Sequence, residues 1–146
     1  MEDISINIYN FNEKTDERVS LNSLLELEFV EEHTKELLNL KGIQILDVGL
    51  GVSNKKKFLS FLFSSIFKDY EIINTEGIGG GHPDYILRKD NNEIYIEIKW
   101  EDDSLRSSQV EWMWENKDKK IKIIWISSFD KLWTLKLNKE KASETL

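Results

Sequence analysis

Three side chains in the second half of the chain, Asp84, Glu97 and Lys99, have the types and spacing for metal-assisted chemistry on a phosphate. Asp84 follows Gly-His-Pro at the start of a predicted strand, and Glu97-Ile98-Lys99 lies in the next predicted strand. Because side chains alternate along a strand, Glu97 and Lys99 leave the same face roughly 6.6 Å apart along the backbone. The isoleucines between them face the other way. One face of this strand is therefore predicted to pack into a core and the other to carry the chemistry.

The interval between Asp84 and Glu97 has the length of a hairpin. It holds a strand at 85–88, the turn sequence Lys-Asp-Asn-Asn at 89–92, and the return strand. Asn and Asp tolerate positive φ, which tight hairpin turns require. The hairpin is predicted to bring Asp84 and Glu97 to the same end of the ladder.

Two neighbouring carboxylates repel each other, and one would hold a proton unless a cation neutralises them. Hard oxygen ligands suit Mg²⁺ or Mn²⁺, which also bridge to a phosphate oxygen. The backbone carbonyl of Ile98 lies next to Glu97 on the strand and is the predicted third ligand. Lys99 would orient an attacking water or balance the charge that develops in the transition state. The chemistry that these residues predict is hydrolysis of a phosphodiester.

The pattern Gly-x-Pro-Asp followed by Glu-x-Lys resembles the PD-(D/E)XK nuclease superfamily. The later sequence Leu-Arg-Ser-Ser-Gln-Val-Glu-Trp at 105–112 is similar to the Leu-x-x-x-Gln-x-x-Trp helix of virus-type replication-repair nucleases and archaeal Holliday-junction resolvases. The resemblance implies metal ligands at Asp84 and Glu97, a catalytic Lys99, and Gln109 beside the site. It also implies an Mg²⁺- or Mn²⁺-dependent deoxyribonuclease that acts on DNA, including branched or structured DNA.

The order of elements predicts a single α/β domain over 1–146. The fold class implied is a restriction-endonuclease-like αβββαβ core over 55–137, with a mixed central sheet flanked by helices. The final strand follows a helical crossover, so we expect parallel pairing. The predicted elements are a helix at 54–68, strands at 70–75, 83–88 and 93–100, a helix at 104–116, a strand at 121–127 and a further strand at 131–137.

An N-terminal strand and helix extension is predicted over 1–50. Alternating isoleucines indicate a strand within 1–10, followed by a polar loop through Ser20. Ser23 and Glu26 have the spacing of a capping box, which predicts that a helix begins there and continues to the Lys-Gly stop at 41–42.

One departure from the family pattern concerns a further glutamate that many members carry on the helix before the first core strand. The predicted helix 54–68 contains no acid. Either a glutamate from the N-terminal helix or Glu76, at the end of a core strand, completes the site, or fewer protein groups hold the metal. The N-terminal candidates are Glu26, Glu28, Glu31 and Glu32.

The formal net charge of −7 should repel a polyanion over most of the surface. Nucleic acid must then bind locally, at basic clusters such as 117–122, unless these clusters are only solvated ends of elements. The glycine run at 77–81 would let a nucleic-acid backbone approach or let the loop close over it. The predicted nucleic-acid contacts are Lys55, Lys56, Lys57, His82 and Arg106, with a simple turn role as the alternative for His82.

Two other function classes compete with the nuclease. The sequence Ile-Leu-Asp-Val-Gly-Leu-Gly at 45–51 resembles the first loop of a class I methyltransferase, but Ser53 replaces its third glycine and Glu97 stays unexplained. A nuclease fold used only for binding is the other alternative. The intact acids and Lys99 argue against it, and the missing helix glutamate argues for it.

The remaining composition bears on location and assembly. The chain has no cysteine, which excludes disulfides and thiolate-bound zinc. No apolar run reaches the roughly 18 residues needed to span a bilayer, and the start lacks the basic residues of a signal peptide. A cytoplasmic protein without a membrane partner is therefore expected. Trp114 points away from the helix face that Gln109 shares with Trp112, so it is a candidate for a partner surface, such as that of a homodimer.

Overall fold

The computed structural model describes residues 4–27, 52–101 and 103–128, which form a mixed six-stranded sheet flanked by helices. The elements are β1 Ile4–Asn10, β2 Thr15–Ser20, α1 Leu21–Leu25, α2 Val52–Ile66, β3 Glu71–Asn74, β4 Tyr85–Lys89, β5 Asn92–Trp100, α3 Ser107–Glu115 and β6 Lys120–Ser128. The strand order across the sheet is β2-β1-β6-β5-β4-β3.

Strand β5 lies near the centre of the sheet between β4 and β6. It pairs antiparallel with β4 and parallel with β6, which follows the α3 crossover. The prediction of a parallel final strand is confirmed. Strand β6 is buried on both faces from Ile123 to Ser127, as expected for a continuous apolar run in the interior of a sheet.

The predicted β4–β5 hairpin is confirmed, with Lys89 opposite Asn92 and a two-residue turn between them. Asp90 in that turn has a φ of 55°, a left-handed conformation that Asp tolerates better than most residues. The last pair at the other end of the ladder is Tyr85 with Ile96. Asp84 therefore lies one step beyond the ladder, level with Glu97.

The sheet buries a different core on each face. On one face the even-numbered isoleucines of β5 pack with α1 and α2, including Phe58 and Leu62. On the other face Met113 of α3 packs with Ile121 and Ile123 of β6. Because Glu97 and Lys99 alternate with the isoleucines, they belong to the α3 face. Within the described ranges no helix has the length and apolar character needed to cross a membrane.

The N-terminal prediction needs correction. Residues 15–20 form strand β2 instead of a polar loop. Because β2 lies at the edge of the sheet and is mostly exposed, its sequence shows no alternation of apolar side chains from which a strand could be predicted. Helix α1 begins at Leu21, and its cap is Ser20, whose side chain accepts a hydrogen bond from the Ser23 N–H at 3.1 Å. The predicted capping box at Ser23 is therefore wrong.

The N-terminal strand is part of the same sheet as the predicted core. Strand β1 pairs antiparallel with β6 over seven registered positions. The predicted continuation of the helix to 41–42 and the strand at 131–137 lie outside the described residues.

Candidate active site

The four residues that the sequence singled out for chemistry lie together on the α3 side of β5. Gln109 Nε2 donates a hydrogen bond to Glu97 Oε1 at 2.9 Å, and Lys99 Nζ lies 3.6 Å from the same oxygen. Asp84 Oδ2 accepts a hydrogen bond from the Ile98 N–H at 3.1 Å. Glu97, Lys99 and Gln109 are 2%, 7% and 6% exposed. Asp84 is partly exposed and forms the open end of the cluster.

Local structure explains how each side chain reaches this point. Asp84 directly precedes β4, where the hairpin register places it beside Glu97 and Ile98. The crossover from β5 to β6 carries α3 over the same face. Gln109 lies in the first turn of α3 and is buried against the sheet.

Gln109 connects the start of α3 to the acid. Its Oε1 accepts a hydrogen bond from the Arg106 N–H at 2.9 Å while its Nε2 donates to Glu97. A backbone N–H can only donate and a carboxylate oxygen accepts, so these two partners determine the orientation of the amide. Gln109 therefore holds Glu97 by one oxygen and leaves the other oxygen available.

The second oxygen of this carboxylate, Glu97 Oε2, is buried and has no hydrogen-bond partner among the described residues. An unpaired buried carboxylate oxygen is costly and points to a missing ligand or proton. Burial, together with the negative charge of Asp84, raises the pKa of Glu97 to about 8 against the lowering effect of Lys99. Burial also raises the pKa of Asp84, against the effect of the Ile98 N–H. The pair holds a proton at neutral pH unless a cation replaces it.

The donor set fits a hard divalent ion. The N–H and C=O of one strand residue lie on the same edge of the strand, so the Ile98 carbonyl lies on the edge that faces Asp84. The residue opposite Ile98 in this register is Pro83, which has no N–H to donate to that carbonyl. In the described ranges, no three acidic or histidine side chains converge as a metal site. Two carboxylates and one carbonyl would leave several positions to water, as Mg²⁺ prefers.

Glu76 is the acid outside this cluster whose charge raises the pKa of Asp84. Its Oε1 accepts a hydrogen bond from the Tyr85 hydroxyl at 2.9 Å. Its backbone N–H donates to the Asn74 side chain at 2.9 Å. Of the other glutamates considered from the sequence, Glu26 is the C-cap of α1, and Glu28, Glu31 and Glu32 lie outside the described residues.

The glycine run between β3 and β4 packs against the helix that carries Gln109. Gly81 has a φ of 82°, and a Cβ atom there would lie 2.1 Å from the carbonyl oxygen of Ser108. Only glycine permits this contact. Gly81 therefore has a packing role that the interpretation as flexible backbone missed. A run of glycines shows no sign, in sequence, of which member touches another element.

The predicted nucleic-acid residues have different surroundings. Lys55 lies 4.9 Å from the centroid of the Trp100 ring, at the carboxyl end of β5. Lys56, Lys57 and Arg106 are exposed, and the charge of Arg106 lowers the pKa of Glu97. His82 is half-buried: its Nδ1 lies 2.8 Å from the Pro83 oxygen, and its ring packs against Tyr95 and Trp112.

The basic cluster at 117–122 lies away from the acids, at the amino end of β6. Its Lys119, Lys120 and Lys122 line a cavity of about 230 Å³ that the acidic Glu13 and Asp118 also line. Lys122 Nζ donates to Asn10 Oδ1, and Lys119 Nζ donates to Asn116 Oδ1 at 3.1 Å. Two of its lysines therefore already make hydrogen bonds within the fold.

Trp114 is partly buried within the described part of the chain, and its role at a partner surface stays a prediction. Its ring packs edge-on against Phe11, with 5.0 Å between the ring centroids, and its Nε1 is buried. Phe11 follows β1 and comes from the opposite end of the chain. No helical pattern around Trp114 could have shown this contact.

The site thus combines two neighbouring carboxyl groups with raised pKa values, a buried lysine, and a glutamine that fixes one carboxylate. Asp84, Glu97, Lys99 and Gln109 are brought together, whereas Lys117–Lys122 is not part of the same cluster. Comparison of the chain with protein-family models, with curated proteins and with solved structures found no match.

Proposed function

We propose that this protein is a nuclease that uses Mg²⁺ or Mn²⁺ to hydrolyse phosphodiester bonds in DNA. The observation that carries the proposal is the buried Glu97 Oε2, which has no hydrogen-bond partner among the described residues, although the other oxygen of the same carboxylate lies 3.6 Å from Lys99 Nζ. A fold gains nothing from a buried carboxylate oxygen that lacks a partner, whereas a metal ion needs such an oxygen as its ligand.

The order of elements around the site supports the proposal. The sequence α2, β3, β4, β5, α3, β6 has the αβββαβ order of a restriction-endonuclease-like core, and it includes the mixed sheet. The acids lie side by side where β4 begins and β5 nears its end, away from the hairpin turn, and Gln109 lies on the following helix, as the family resemblance implies. The methyltransferase alternative fits less well, because such folds use a mostly parallel sheet and this sheet has one parallel pair among the described strands.

The residues divide the chemistry among themselves. The carboxylates of Asp84 and Glu97 and the carbonyl of Ile98 would hold the ion, which supplies Lewis acidity and lowers the pKa of a bound water. The Glu97 carboxyl must release its proton before it can act as a ligand. Lys99 donates hydrogen bonds to the attacking water or to a phosphate oxygen, where it stabilises the developing negative charge. Gln109 holds Glu97 in the orientation that this requires.

The test is cleavage of labelled branched, duplex and single-stranded DNA with Mg²⁺, Mn²⁺ or a chelator. We expect cleavage that requires metal and disappears in Asp84→Asn and Glu97→Gln, both of which preserve shape and remove charge. Asp90→Asn, at the exposed hairpin turn far from the acids, is the matched control and should keep full activity. Cleavage that persists with chelator, or that is unchanged in both site variants, would contradict the proposal.

A catalytically weak DNA-binding protein with the same architecture is the second candidate. It is favoured by the absence, in the described part of the chain, of a third acidic side chain close enough to share a metal. The same experiment separates the two candidates. Metal-stimulated DNA binding without cleavage in either Mg²⁺ or Mn²⁺ would favour the binding protein.

A further inference from the structure

An isoleucine at the tip of the loop between β3 and β4 is exposed beside the candidate site. Ile78 is 62% exposed, the highest value for a large apolar side chain among the described residues. It lies between Gly77 and the pair Gly79 and Gly80, all with positive φ and with no atom near the place of a Cβ. The side chain therefore stands clear of its own loop.

This loop is anchored although it is rich in glycine. The Thr75 N–H donates to the Asp84 carbonyl, and the Thr75 hydroxyl donates to the Pro83 carbonyl, both at 2.8 Å. The Ile78 N–H donates to the Thr75 carbonyl at 3.4 Å. At the other side of the tip, Gly81 packs directly on the backbone of Ser108. These contacts fix the position of Ile78 relative to Asp84.

An exposed, branched apolar side chain on a fixed tip suits insertion between nucleic-acid bases. Proteins that kink or open DNA insert isoleucine, leucine or phenylalanine between neighbouring bases. A basic group that could hold a flanking phosphate is Arg106, whose charge acts on Glu97 and which lies two residues before Ser108, the residue on which the loop packs. The loop thus offers an apolar contact for a base, and the cationic side chain nearby offers a contact for a phosphate.

We propose that Ile78 inserts between two bases of DNA at a branch point or gap, next to the phosphate that is cut. This inference rests on the proposed nuclease function and narrows its substrate. Opening a fully stacked base step is costly, whereas a branch or gap already has an unstacked step. The protein should therefore select branched or gapped DNA over a continuous duplex of the same length.

The test compares Ile78→Ala with Ile72→Ala, a matched control on edge strand β3 that is 40% exposed. Binding is measured with Ca²⁺ to three-way junctions and to continuous duplexes, with 2-aminopurine placed beside the branch. For the wild type we expect tighter junction binding and a rise in 2-aminopurine fluorescence. Ile78→Ala should lose about tenfold in junction affinity, about 1.4 kcal/mol, together with the fluorescence rise, while its duplex affinity is unchanged. Ile78→Leu should retain both signals, and Ile72→Ala should match the wild type.

The outcomes separate this inference from the proposed function. If the wild type cleaves DNA with metal but Ile78→Ala matches Ile72→Ala in junction preference and fluorescence, the proposed insertion of Ile78 is wrong. The proposed nuclease function would still stand. If the wild type neither binds nor cleaves any of these DNAs, both fail. Melting temperatures of the two alanine variants check that each is folded, since both side chains are exposed and neither replacement opens a core.

Discussion

The two faces of β5 are buried to a similar degree but contribute to the protein in opposite ways. Ile96 and Ile98 are 0% and 6% exposed on one face, and Glu97 and Lys99 are 2% and 7% exposed on the other. Burial of the isoleucines stabilises the fold. Burial of the charged pair is costly, as the pKa of about 8 for Glu97 indicates. The comparison teaches that burial alone does not identify a structural residue.

The largest expected effect is a difference in stability between a variant on the apolar face of β5 and a variant on its charged face. Ile96→Ala should lower the free energy of unfolding by about 2–5 kcal/mol, because it leaves a cavity in the core. Glu97→Gln should cause no such loss at pH 7 without metal, since the amide resembles the protonated acid that a pKa of about 8 favours. Urea denaturation of both variants measures the difference. A loss in Glu97→Gln as large as that in Ile96→Ala would mean that Glu97 is a structural residue.

The next prediction concerns the catalytic activity of a Lys99 variant on the charged face of β5. Lys99→Ala should reduce turnover by about a hundredfold or more, roughly 3 kcal/mol, because the ammonium stabilises charge in the transition state. The melting temperature should change little. Single-turnover cleavage and thermal denaturation of the same preparation check both statements, with Lys89→Ala on the exposed end of β4 as the control. Full activity in Lys99→Ala would make this lysine only a counter-ion for Glu97.

Gly81 tests the contact that holds the loop against the chemical face. Gly79→Ala and Gly81→Ala carry the same backbone cost, since φ is 83° and 82°, but only the second places a Cβ against Ser108. Gly81→Ala should therefore be less stable than Gly79→Ala by about 1–3 kcal/mol, the usual cost of overpacking. It should also weaken cleavage by shifting Gln109. Equal stability of the two variants would show that the loop can move away from Ser108 without lowering the free energy of unfolding.

The last prediction about the site concerns a dependence on pH. The raised pKa of Glu97 means that the folded state holds a proton that the unfolded state has released, so metal-free stability falls as pH rises from about 4.5 to about 8. Metal must displace that proton, so Mn²⁺ affinity should rise with pH by up to about tenfold per unit and level off above pH 8. Calorimetry in two buffers of different ionisation heat measures the proton released. In Glu97→Gln the metal-free stability should no longer fall as pH rises. A pH-independent Mn²⁺ affinity in the wild type would contradict this account.

Local patterns were enough to predict the β4–β5 hairpin and the apolar face of β5. The two-residue turn at 90–91 and the alternation around Glu97 depend on neighbours in sequence. The closeness of Gln109 to Glu97, 12 positions apart in sequence, was implied by the resemblance of 105–112 to a nuclease helix. These features are confirmed, while the reaction they suggest stays a proposal.

The features that the sequence did not predict depend on partners far along the chain. Strand β2 has no apolar alternation because it lies at the sheet edge, and its partner β1 stabilises it. Trp114 is covered by Phe11, and Gly81 is required by Ser108. In each case the decisive neighbour becomes visible only when the elements have packed.

The pairing of β1 with β6 joins Ile4 to Ser128, so β1 is synthesised long before the strand with which it pairs. Contacts between such distant segments carry a large loop-closure entropy and slow the folding of a domain. Until β6 arrives, β1 and the strand that bears Glu97 both present an open edge, since β6 lies between them. A chain that stopped before β6 would expose two edges able to pair with other molecules. Aggregation of such a truncated chain is therefore expected, and the chemical face would be among the last parts of the sheet to close.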